Sequence, residues 1–501
     1  MLWDPAVGAG SRIDGVPLPP QLVTDLRDEL GDPYVVTEPE QLATYDCDGL
    51  TGWRAQPACV VLPGTADEVQ AVVRLCARDG VPFVARGAGT GLSGGALPVA
   101  DGIVVSVARL NRILEIDLES ERVVVQPGVA NLDVTRAVAG DGYFYAPDPS
   151  SQQVCTIGGN LAENSGGAHC LKHGFTVNHV TGAKVVLPDG ELLELGGFSR
   201  EPDDGPDLLG VIVGSEGTLG IAVEITLRIL RQPELVVTRL AGFATVDAAG
   251  DAVSRIIAAG ILPSAMEIMD RFTIEAAEAA YSPGYPEGAG AVLLVELDGV
   301  AAQVEEDGLV VESHCEAAGA FELRTASDAA ERALLWLGRK GAFAAMGRVS
   351  PDYYVQDGVV PRTKLPAVLR RIDELSAERG LRVGNVFHAG DGNLHPLVLY
   401  DSAVEGEYER AKALADEILA ACVEAGGSLT GEHGIGVDKA CAMPSMFSER
   451  DLEAFERVRR AFDPEGLANP GKVLPTPRLC GEVPGPYRAH PLERLGLAER
   501  L

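Results

Sequence analysis

The sequence predicts an α+β protein with two domains, the first of which binds a nucleotide. Its 501 residues exceed what a single hydrophobic core usually supports. From residue 58 onward, short apolar runs alternate with a helical pattern and lead into Arg86–Gly95, where five of ten residues are glycine. Beyond Pro233 the chain changes to alanine-rich helical stretches and strand-like runs. We therefore expect a second mixed domain after this point.

The first predicted elements surround the glycine-rich segment. Thr65 and Glu68 form a capping-box signature for a helix that follows a short strand. The buried stripe of this helix would be Val69, Val72, Val73 and Cys76. Strands are predicted at Cys59–Leu62, Val81–Ala85, Ile103–Val107, Val123–Val125 and Val292–Leu297, and later helices near Ala248–Ala259, Ala326–Ala345, Gly406–Ala425 and Glu449–Phe462.

These patterns divide the chain into four parts. We expect residues 1–54 to pack on the first domain, residues 55–233 to form it, and residues 234–462 to form the second domain. Residues 463–501 would return to the first domain and end in a surface extension after Pro475, where Pro, Gly and Arg are frequent.

Composition excludes several classes of partner. A formal charge of −32 would repel nucleic acid and anionic lipid. No window has the roughly 20 apolar residues of a membrane span, and the first thirty residues do not resemble a secretory signal. The nine cysteines lack CxxC pairs, which favours reduced thiols, a cytoplasmic location and no iron–sulfur cluster in this chain.

The segment Arg86–Gly95 is a candidate phosphate-binding loop. Successive glycines expose backbone N–H groups at little steric cost and can form an anion nest. It formally matches both GxGxxG and GxSxG, but each of those motifs requires a helix directly after the loop. Leu97-Pro98 and Asp101-Gly102 follow instead, so neither motif is predicted to operate in its usual form.

Three further runs change the interpretation of that loop. They are Tyr145–Ser151, Thr156–Gly174 (TIGGNLAENSGGAHCLKHG) and Val213–Ile221 (VGSEGTLGI). Together with the loop they resemble the vanillyl-alcohol-oxidase-like flavoproteins, and in particular their FAD-linked D-2-hydroxy-acid dehydrogenases, which include the D subunits of glycolate oxidases. The resemblance extends from about Tyr45 to Pro475.

The resemblance implies a two-subdomain FAD-binding domain of the vanillyl-alcohol-oxidase type and an α+β substrate domain with an antiparallel sheet. It implies FAD as cofactor, held without a covalent bond, since Thr90 stands where some relatives carry a flavin-linking histidine. Carried over by position, the cofactor-binding residues are Arg86, Gly87, Gly89, Thr90, Gly91, Ser93, Gly94, Pro147, Ser151, Gly158, Gly159, Asn164, Gly167, Glu216, Gly217, Ile221 and Asn469.

A cluster of histidines marks the second domain. His388 and His395 lie seven residues apart around Gly390 and Gly392, and Glu432-His433 lies between glycines. From the residues alone, either a divalent metal site or histidines hydrogen-bonded within loops fits this pattern. The resemblance implies that His388, His395 and Glu432 hold Zn, Mn or Fe. It also implies that His433 takes the proton of the substrate hydroxyl and that Arg339 binds the substrate carboxylate.

The implied reaction is oxidation of a small 2-hydroxy acid to the 2-oxo acid, with hydride passing from Cα to flavin N5. Relatives acting on 2-hydroxyglutarate have a lysine in the stretch matching Tyr353–Asp357, where this chain has Val355, which favours glycolate or D-lactate. Tyr353 and Tyr354 are candidates for lining the substrate pocket. A 2-hydroxyglutarate-type enzyme, a stand-alone D-lactate dehydrogenase and a flavin-free metal-dependent hydrolase are alternatives.

The resemblance also implies partners. Glycolate oxidases of this type use a second FAD-domain subunit and an iron–sulfur subunit, E and F, to pass electrons to the respiratory chain. Such partners would place the chain at the inner face of the membrane, although it has no predicted span of its own. Three alternatives stay open: whether the protein forms oligomers, which electron acceptor it uses, and whether it is inactive without its partner subunits.

Overall fold

The computed structural model describes residues 18–197, 205–476 and 480. The α-helices are α1 Pro20–Leu30, α2 Pro39–Leu42, α3 Ala66–Asp79, α4 Asn131–Val138, α5 Ile157–Glu163, α6 Cys170–His173, α7 Leu208–Ile212, α8 Val246–Ala258, α9 Arg271–Tyr281, α10 Ala301–Ala317, α11 Ala329–Lys340, α12 Ala342–Met346, α13 Leu365–Arg379, α14 Glu407–Glu424 and α15 Glu449–Phe462. Residues 1–17 of the predicted N-terminal segment 1–54, and most of the predicted extension after Pro475, lie outside the described residues.

The first sheet carries the glycine-rich loop. Its strands are β1 Val35–Val36, β2 Cys59–Val61, β3 Phe83–Arg86 and β4 Ile103–Ser106, in the order β1-β2-β4-β3. Strands β2, β4 and β3 are parallel, and the loop runs from the end of β3 to β4 without a helix, as the sequence predicts. Thr65 caps α3 by accepting the Glu68 N–H at 3.1 Å, and the predicted apolar stripe of α3 is buried.

The second sheet is antiparallel, and its strands follow those of the first sheet in the sequence. Its strands are β5 Ile113–Asp117, β6 Arg122–Val125, β8 Val180–Val186, β9 Leu192–Gly196 and β10 Ile221–Arg228, in the order β5-β6-β10-β8-β9. A short pair, β7 Tyr143–Phe144 and β11 Leu230–Arg231, adjoins it. Helix α5 begins at Thr156, whose hydroxyl accepts the Gly159 N–H at 3.3 Å and fixes the second glycine-rich run.

The third sheet is a large antiparallel layer. It consists of β12 Leu235–Phe243, β13 Ala265–Asp270, β14 Ala291–Gly299, β15 Glu322–Thr325, β16 Asp352–Val355, β17 Gly358–Val359, β18 Val383–His388 and β19 Asn393–Tyr400, in the order β15-β12-β14-β13-β18-β19-β16, with β17 paired to β19. Alternate residues point to opposite faces. Leu293 and Val295 pack with α8, α10, α13 and α14, whereas Val292 and Leu294 pack with α9, α11 and α12.

The chain returns to the first sheet after α15. The Phe83 N–H donates to the Leu467 carbonyl at 2.9 Å, and the Asn469 N–H donates to the Phe83 carbonyl at 2.8 Å. The segment around Ala468 therefore lies beside β3 as an additional bridge.

Two sequence predictions are wrong in detail. The predicted helix Ala326–Ala345 is two helices, α11 and α12, divided at Gly341, where a Cβ would lie 2.4 Å from the Tyr281 ring. The prediction of reduced thiols fails for one pair, because Cys441 and Cys480 form a disulfide with Cα atoms 5.0 Å apart. These cysteines are 39 residues apart, and only the fold brings them together.

Candidate active site

A cleft of about 1230 Å³, its mouth included, lies where the glycine-rich segments of the first domain face the histidine cluster of the third sheet. One side, here called the glycine wall, consists of Gly87, Gly89, Thr90, Gly91, Gly159 and Gly217. The other, here called the histidine wall, consists of Arg339, Phe343, His388, His395, Glu432 and His433. Ser151 and Glu216 also line the cleft. The fold thus brings residues of all the predicted motifs to one cavity.

The glycines near the cleft have two different explanations. A Cβ at Gly87 would lie 2.2 Å from Thr156 Oγ1, and one at Gly158 would lie 2.5 Å from Pro127 Cβ, so protein packing requires glycine there. At Gly91 and Gly217 the nearest neighbour of a Cβ would be 3.8 Å away. Gly217 has φ +69°, a backbone conformation that favours glycine by itself. At Gly91 neither packing nor backbone conformation requires glycine, whereas close approach of a ligand to bare backbone does. This observation fits a cofactor seated against the glycine wall.

A second cavity of about 490 Å³ adjoins the cleft. Arg86, Gly158 and Ile221 line it, and it shares Gly87, Gly159 and Gly217 with the cleft. A long ligand such as a dinucleotide can occupy both cavities across the shared glycines. Eleven of the predicted cofactor residues line one or both of these adjoining spaces.

Six of the predicted cofactor residues line neither cavity: Ser93, Gly94, Pro147, Asn164, Gly167 and Asn469. They support the lining from behind. The Asn469 side chain donates to the carbonyls of Gly95 and Glu216, at 2.8 and 2.6 Å, and so ties two cofactor runs together. The Ser93 carbonyl accepts the N–H groups of Val437 and Asp438, both at 3.1 Å.

A hairpin positions the first two histidines. His388 ends β18 and His395 lies in β19, and they share a sheet face because His388 pairs with Asn393 and His395 pairs with Val386. Their ring centroids are 5.0 Å apart. Glu267 pairs with His388 across the neighbouring strand, and its carboxylate contacts Nδ1 at 2.7 Å. His388 Nε2 is thereby directed toward Glu432, 3.4 Å from its Oε1.

The loop that carries Glu432 and His433 is held by one buried carboxylate. Asp357, with no exposed surface, accepts the backbone N–H groups of Gly431, Glu432 and His433 at 2.8 to 3.3 Å. It also accepts the side chains of Asn393 and Thr430, at 2.7 and 2.6 Å. In this arrangement Glu432 Oε1 lies 3.1 Å from His395 Nε2 and 4.0 Å from His433 Nε2.

The site has the donors and the charge that a divalent metal needs. Ligand atoms of His388, His395 and Glu432 lie within 4.8 Å of one another. Burial alone would lower the pKa of His388, but Glu267 and Glu432 outweigh it and raise that pKa well above its ordinary value. The two buried carboxylates therefore favour a positive charge at this position, which a bound cation would supply. In metal-binding histidines the ring nitrogen that does not bind the metal typically contacts a carboxylate, as His388 Nδ1 contacts Glu267 here.

His433 differs from its neighbours in its electrostatics. Burial lowers the pKa of His433 to about 4, although Asp357 partly opposes this effect. Its ring stacks on that of His395 with centroids 5.0 Å apart, and within the described chain its Nδ1 makes no hydrogen bond. At neutral pH this imidazole is uncharged and can accept a proton.

Arg339 lies at the end of α11 and is only 3% exposed, so it is not a surface charge. It forms an ion pair with Glu267, the carboxylate that also contacts His388. Of the described residues that line the cleft, Arg339 alone has a permanent positive charge. Its Nε makes no hydrogen bond within the described chain. A guanidinium with open donors can bind a carboxylate.

A group of buried carboxyls joins the two walls. Glu216 accepts the N–H groups of Ile435 and Gly436, both at 2.7 Å, which connects the VGSEGTLGI run to the His433 loop. Glu163 lines the cleft beside it, and burial together with Glu216 raises the pKa of Glu163 well above its ordinary value. Glu216 was predicted as a cofactor residue, but the structure also makes it a contact to the opposite wall.

Sequence reasoning missed four residues of the site and misplaced two. They are Glu267, Asp357 and Phe343, which no motif marked, and Glu163, which lies inside the run Thr156–Gly174 but was not singled out. The expectation that Tyr353 and Tyr354 line the pocket is wrong: Tyr354 is buried against Asp438, and Tyr353 packs in the third sheet. Val355 is also buried away from the cleft, so its identity does not bear directly on substrate charge.

Among the helices in the described ranges, none has both the length and the apolar character that crossing a membrane requires.

Two family models match this chain. The model described as "FAD binding domain" matches residues 57–196, and the one described as "FAD linked oxidases, C-terminal domain" matches residues 232–473. The chain is also similar in fold to the solved structure of 4-ethylphenol oxidase from Gulosibacter chungangensis. The TM-score is 0.76 at 19% identity, over 91% of this chain and 96% of that one. This likeness confirms the predicted fold class.

Two curated proteins are similar over most of their length. Glycolate oxidase subunit GlcD of Escherichia coli (strain K12) is 49% identical over 457 residues, which cover 91% of both chains. D-lactate dehydrogenase of Anaerostipes hadrus is 34% identical over 440 residues, covering 86% of this chain and 92% of that protein. Together with the glycine wall and the histidine cluster, these matches identify the chain as a member of the FAD-linked oxidase family, an oxidoreductase with FAD as cofactor.

Proposed function

We propose that the protein oxidises a small 2-hydroxy monocarboxylate, glycolate or D-lactate, to the corresponding 2-oxo acid. The observation that carries this proposal is that Arg339, His433 and the candidate metal ligands face the glycine wall across one cleft. The names of the glycolate oxidase and D-lactate dehydrogenase relatives support the substrate class. Membership of a FAD-linked family leaves the flavin-free hydrolase alternative without support.

FAD would lie along the glycine wall and extend into the second cavity. Backbone at Gly91 and Gly217 would approach it closely, while Arg86, Gly158 and Ile221 would surround its other end. Bound FAD supplies the acceptor for the hydride that leaves the substrate Cα. The protein's own contribution is to hold the substrate with this Cα facing the flavin.

His388, His395 and Glu432 would hold a divalent ion, Zn, Mn or Fe. Such an ion would act as a Lewis acid and lower the pKa of the substrate hydroxyl. His433, buried next to these ligands and neutral at pH 7, would accept the hydroxyl proton. The electron pair of the O–H bond then forms the second C–O bond of the product as hydride departs.

Arg339 would bind the substrate carboxylate, and Phe343 would limit substrate size. Phe343 follows Arg339 by four residues, lines the cleft, and packs edge-on against His395 with centroids 5.9 Å apart. An apolar ring here leaves room for a hydrogen or methyl at Cα and offers nothing to a second carboxylate. This arrangement favours glycolate or D-lactate over 2-hydroxyglutarate.

The test is anaerobic reduction of the flavin by each candidate acid, followed at the visible flavin band. Wild type should bleach with glycolate or D-lactate, whereas H433N should bleach about 1000-fold more slowly with its flavin retained. H314N is the matched control, since His314 lies on α10 away from the cleft, and it should behave as wild type. An unchanged spectrum with every 2-hydroxy acid would overturn the proposal.

Electrons would leave the reduced flavin for another protein. The resemblance implies glycolate oxidase subunits E and F, of which F carries an iron–sulfur centre, and a location at the inner membrane face through them. Co-purification of a tagged chain with an iron–sulfur subunit would support this proposal. So would electron transfer to an acceptor that occurs only when that subunit is present. Full activity of the isolated chain with a soluble acceptor would favour the stand-alone dehydrogenase. Cytoplasmic location and non-covalent FAD also stay predictions.

A further inference from the structure

A closed polar network joins the flavin-binding segments to helix α11. His169, from the second glycine-rich run, contacts Asp148 Oδ2 through Nδ1 at 2.8 Å and Glu296 Oε1 through Nε2 at 3.0 Å. Lys340 on α11 donates to the same Asp148 oxygen at 2.9 Å. Trp336, one turn earlier on α11, donates its indole N–H to Glu296 at 2.6 Å.

The charges of this network balance. Both ring nitrogens of His169 contact carboxylates, so the ring is an imidazolium. Burial alone would lower its pKa, but Asp148 and Glu296 raise it to about 10. Two carboxylates, Asp148 and Glu296, therefore meet two cations, Lys340 and His169. The network stays fully charged over the whole neutral range.

The network lies next to the cleft and does not line it. His169, Asp148, Lys340 and Trp336 do not line it, but the chain neighbours of Asp148 and Lys340 do. Asp148 directly precedes Pro149, Ser150 and Ser151 of the lining, and Lys340 directly follows Arg339. Each end of the network thus holds the backbone beside one part of the active site.

We propose that this network, the interdomain latch of Asp148, His169, Glu296, Trp336 and Lys340, is a positioning device that fixes Arg339 relative to the flavin. The inference rests on the proposed function only in taking Arg339 as the carboxylate anchor. Lys340 holds α11 against Asp148, in the segment that carries Ser151, and Trp336 holds α11 to Glu296 on β14. The register of α11 then sets where the Arg339 guanidinium lies. Lys340 and His169 are therefore positioning residues, without contact to the reacting atoms.

A neighbouring ion pair offers a matched control. Lys172, three residues after His169, forms an ion pair with Asp298, two residues after Glu296 on β14. This ion pair joins the same two parts of the protein as the latch does. The Lys172 side chain is 28% exposed, against 27% for Lys340. The ion pair does not involve α11. A general effect of loosening the interface would appear in K172M, whereas the latch predicts an effect only in K340M.

The experiment measures binding of oxamate, an unreactive carboxylate, through its perturbation of the flavin spectrum in the FAD-loaded protein, together with kcat and KM for glycolate. K340M should weaken oxamate binding and raise KM about tenfold, with kcat nearly unchanged and flavin content intact. K172M should stay within about twofold of wild type. R339M should weaken oxamate binding more than K340M does.

The double variant R339M/K340M distinguishes a positioning role of Lys340 from a general role in stability. If Lys340 acts through Arg339, its removal should have no further effect on oxamate binding once Arg339 is gone. W336F, which keeps the ring but loses the N–H to Glu296, should act in the same direction as K340M and serves if K340M folds poorly. Equal effects of K340M and K172M, or additive effects in the double variant, would overturn the latch. No change in R339M would overturn the carboxylate anchor instead.

Discussion

The two walls of the cleft are built on different principles. The glycine wall presents backbone: Gly91 and Gly217 leave open space at which a cofactor can approach. The histidine wall presents side chains, and two buried carboxylates hold most of them: Glu267 contacts His388 and Arg339, and Asp357 holds the loop of Glu432 and His433. The first wall should therefore be most sensitive to added side-chain volume, and the second should be most sensitive to the loss of a charge.

The largest effect should come from adding volume to the glycine wall. In G91L the new side chain would enter the cleft, because nothing within 3.8 Å of its Cβ would stop it. The variant should fold but purify without flavin, as measured by visible absorbance against protein concentration. G140L is the control, since Gly140 has no neighbour within 4 Å of a Cβ and lies outside the cleft. A full complement of FAD in G91L would show that the cofactor does not lie there.

On the histidine wall, the removal of one charge behind the loop should reduce activity without releasing flavin. D357N keeps the volume of Asp357 but replaces a carboxylate that accepts three backbone N–H groups. We expect kcat/KM for the 2-hydroxy acid to fall about 10- to 100-fold, together with the affinity for a divalent ion. T430V removes a single donor to Asp357 and should have a smaller effect. Loss of flavin in D357N would contradict the separation of the two walls.

A smaller effect is expected where the histidine wall uses volume. F343A should enlarge the space beside His395 and raise the preference for 2-hydroxybutyrate over glycolate, as a ratio of kcat/KM values, by about tenfold. F321A removes an aromatic ring that is 53% exposed and should leave the ratio unchanged. An unaltered ratio in F343A would mean that another group sets the substrate size.

The two walls also differ in how far sequence could predict them. Glycine runs and the His388, His395 and Glu432 spacing are local patterns, and the structure brings them to one cleft as expected. Glu267 and Asp357 are single acids with no motif, and they matter because strand register places Glu267 opposite His388 and folding buries Asp357 under a loop 73 residues later in the chain. Phe343 is a single aromatic residue in a helical stretch, and only the fold places it in the cleft against His395.

The smallest effect concerns the interdomain latch, in which His169 contacts Asp148 of the first domain and Glu296 of the third sheet. Its pKa is about 10 in the folded protein and about 6.5 when unfolded. A pKa raised by folding gives stability that is complete below about pH 6.5 and is lost as pH rises toward 10. The free energy of urea unfolding of wild type relative to H169Q should therefore fall by on the order of 1 kcal/mol between pH 7 and 9. A difference independent of pH would mean that the pKa of His169 is not raised in the folded protein and that His169 contributes no charged contact to the latch.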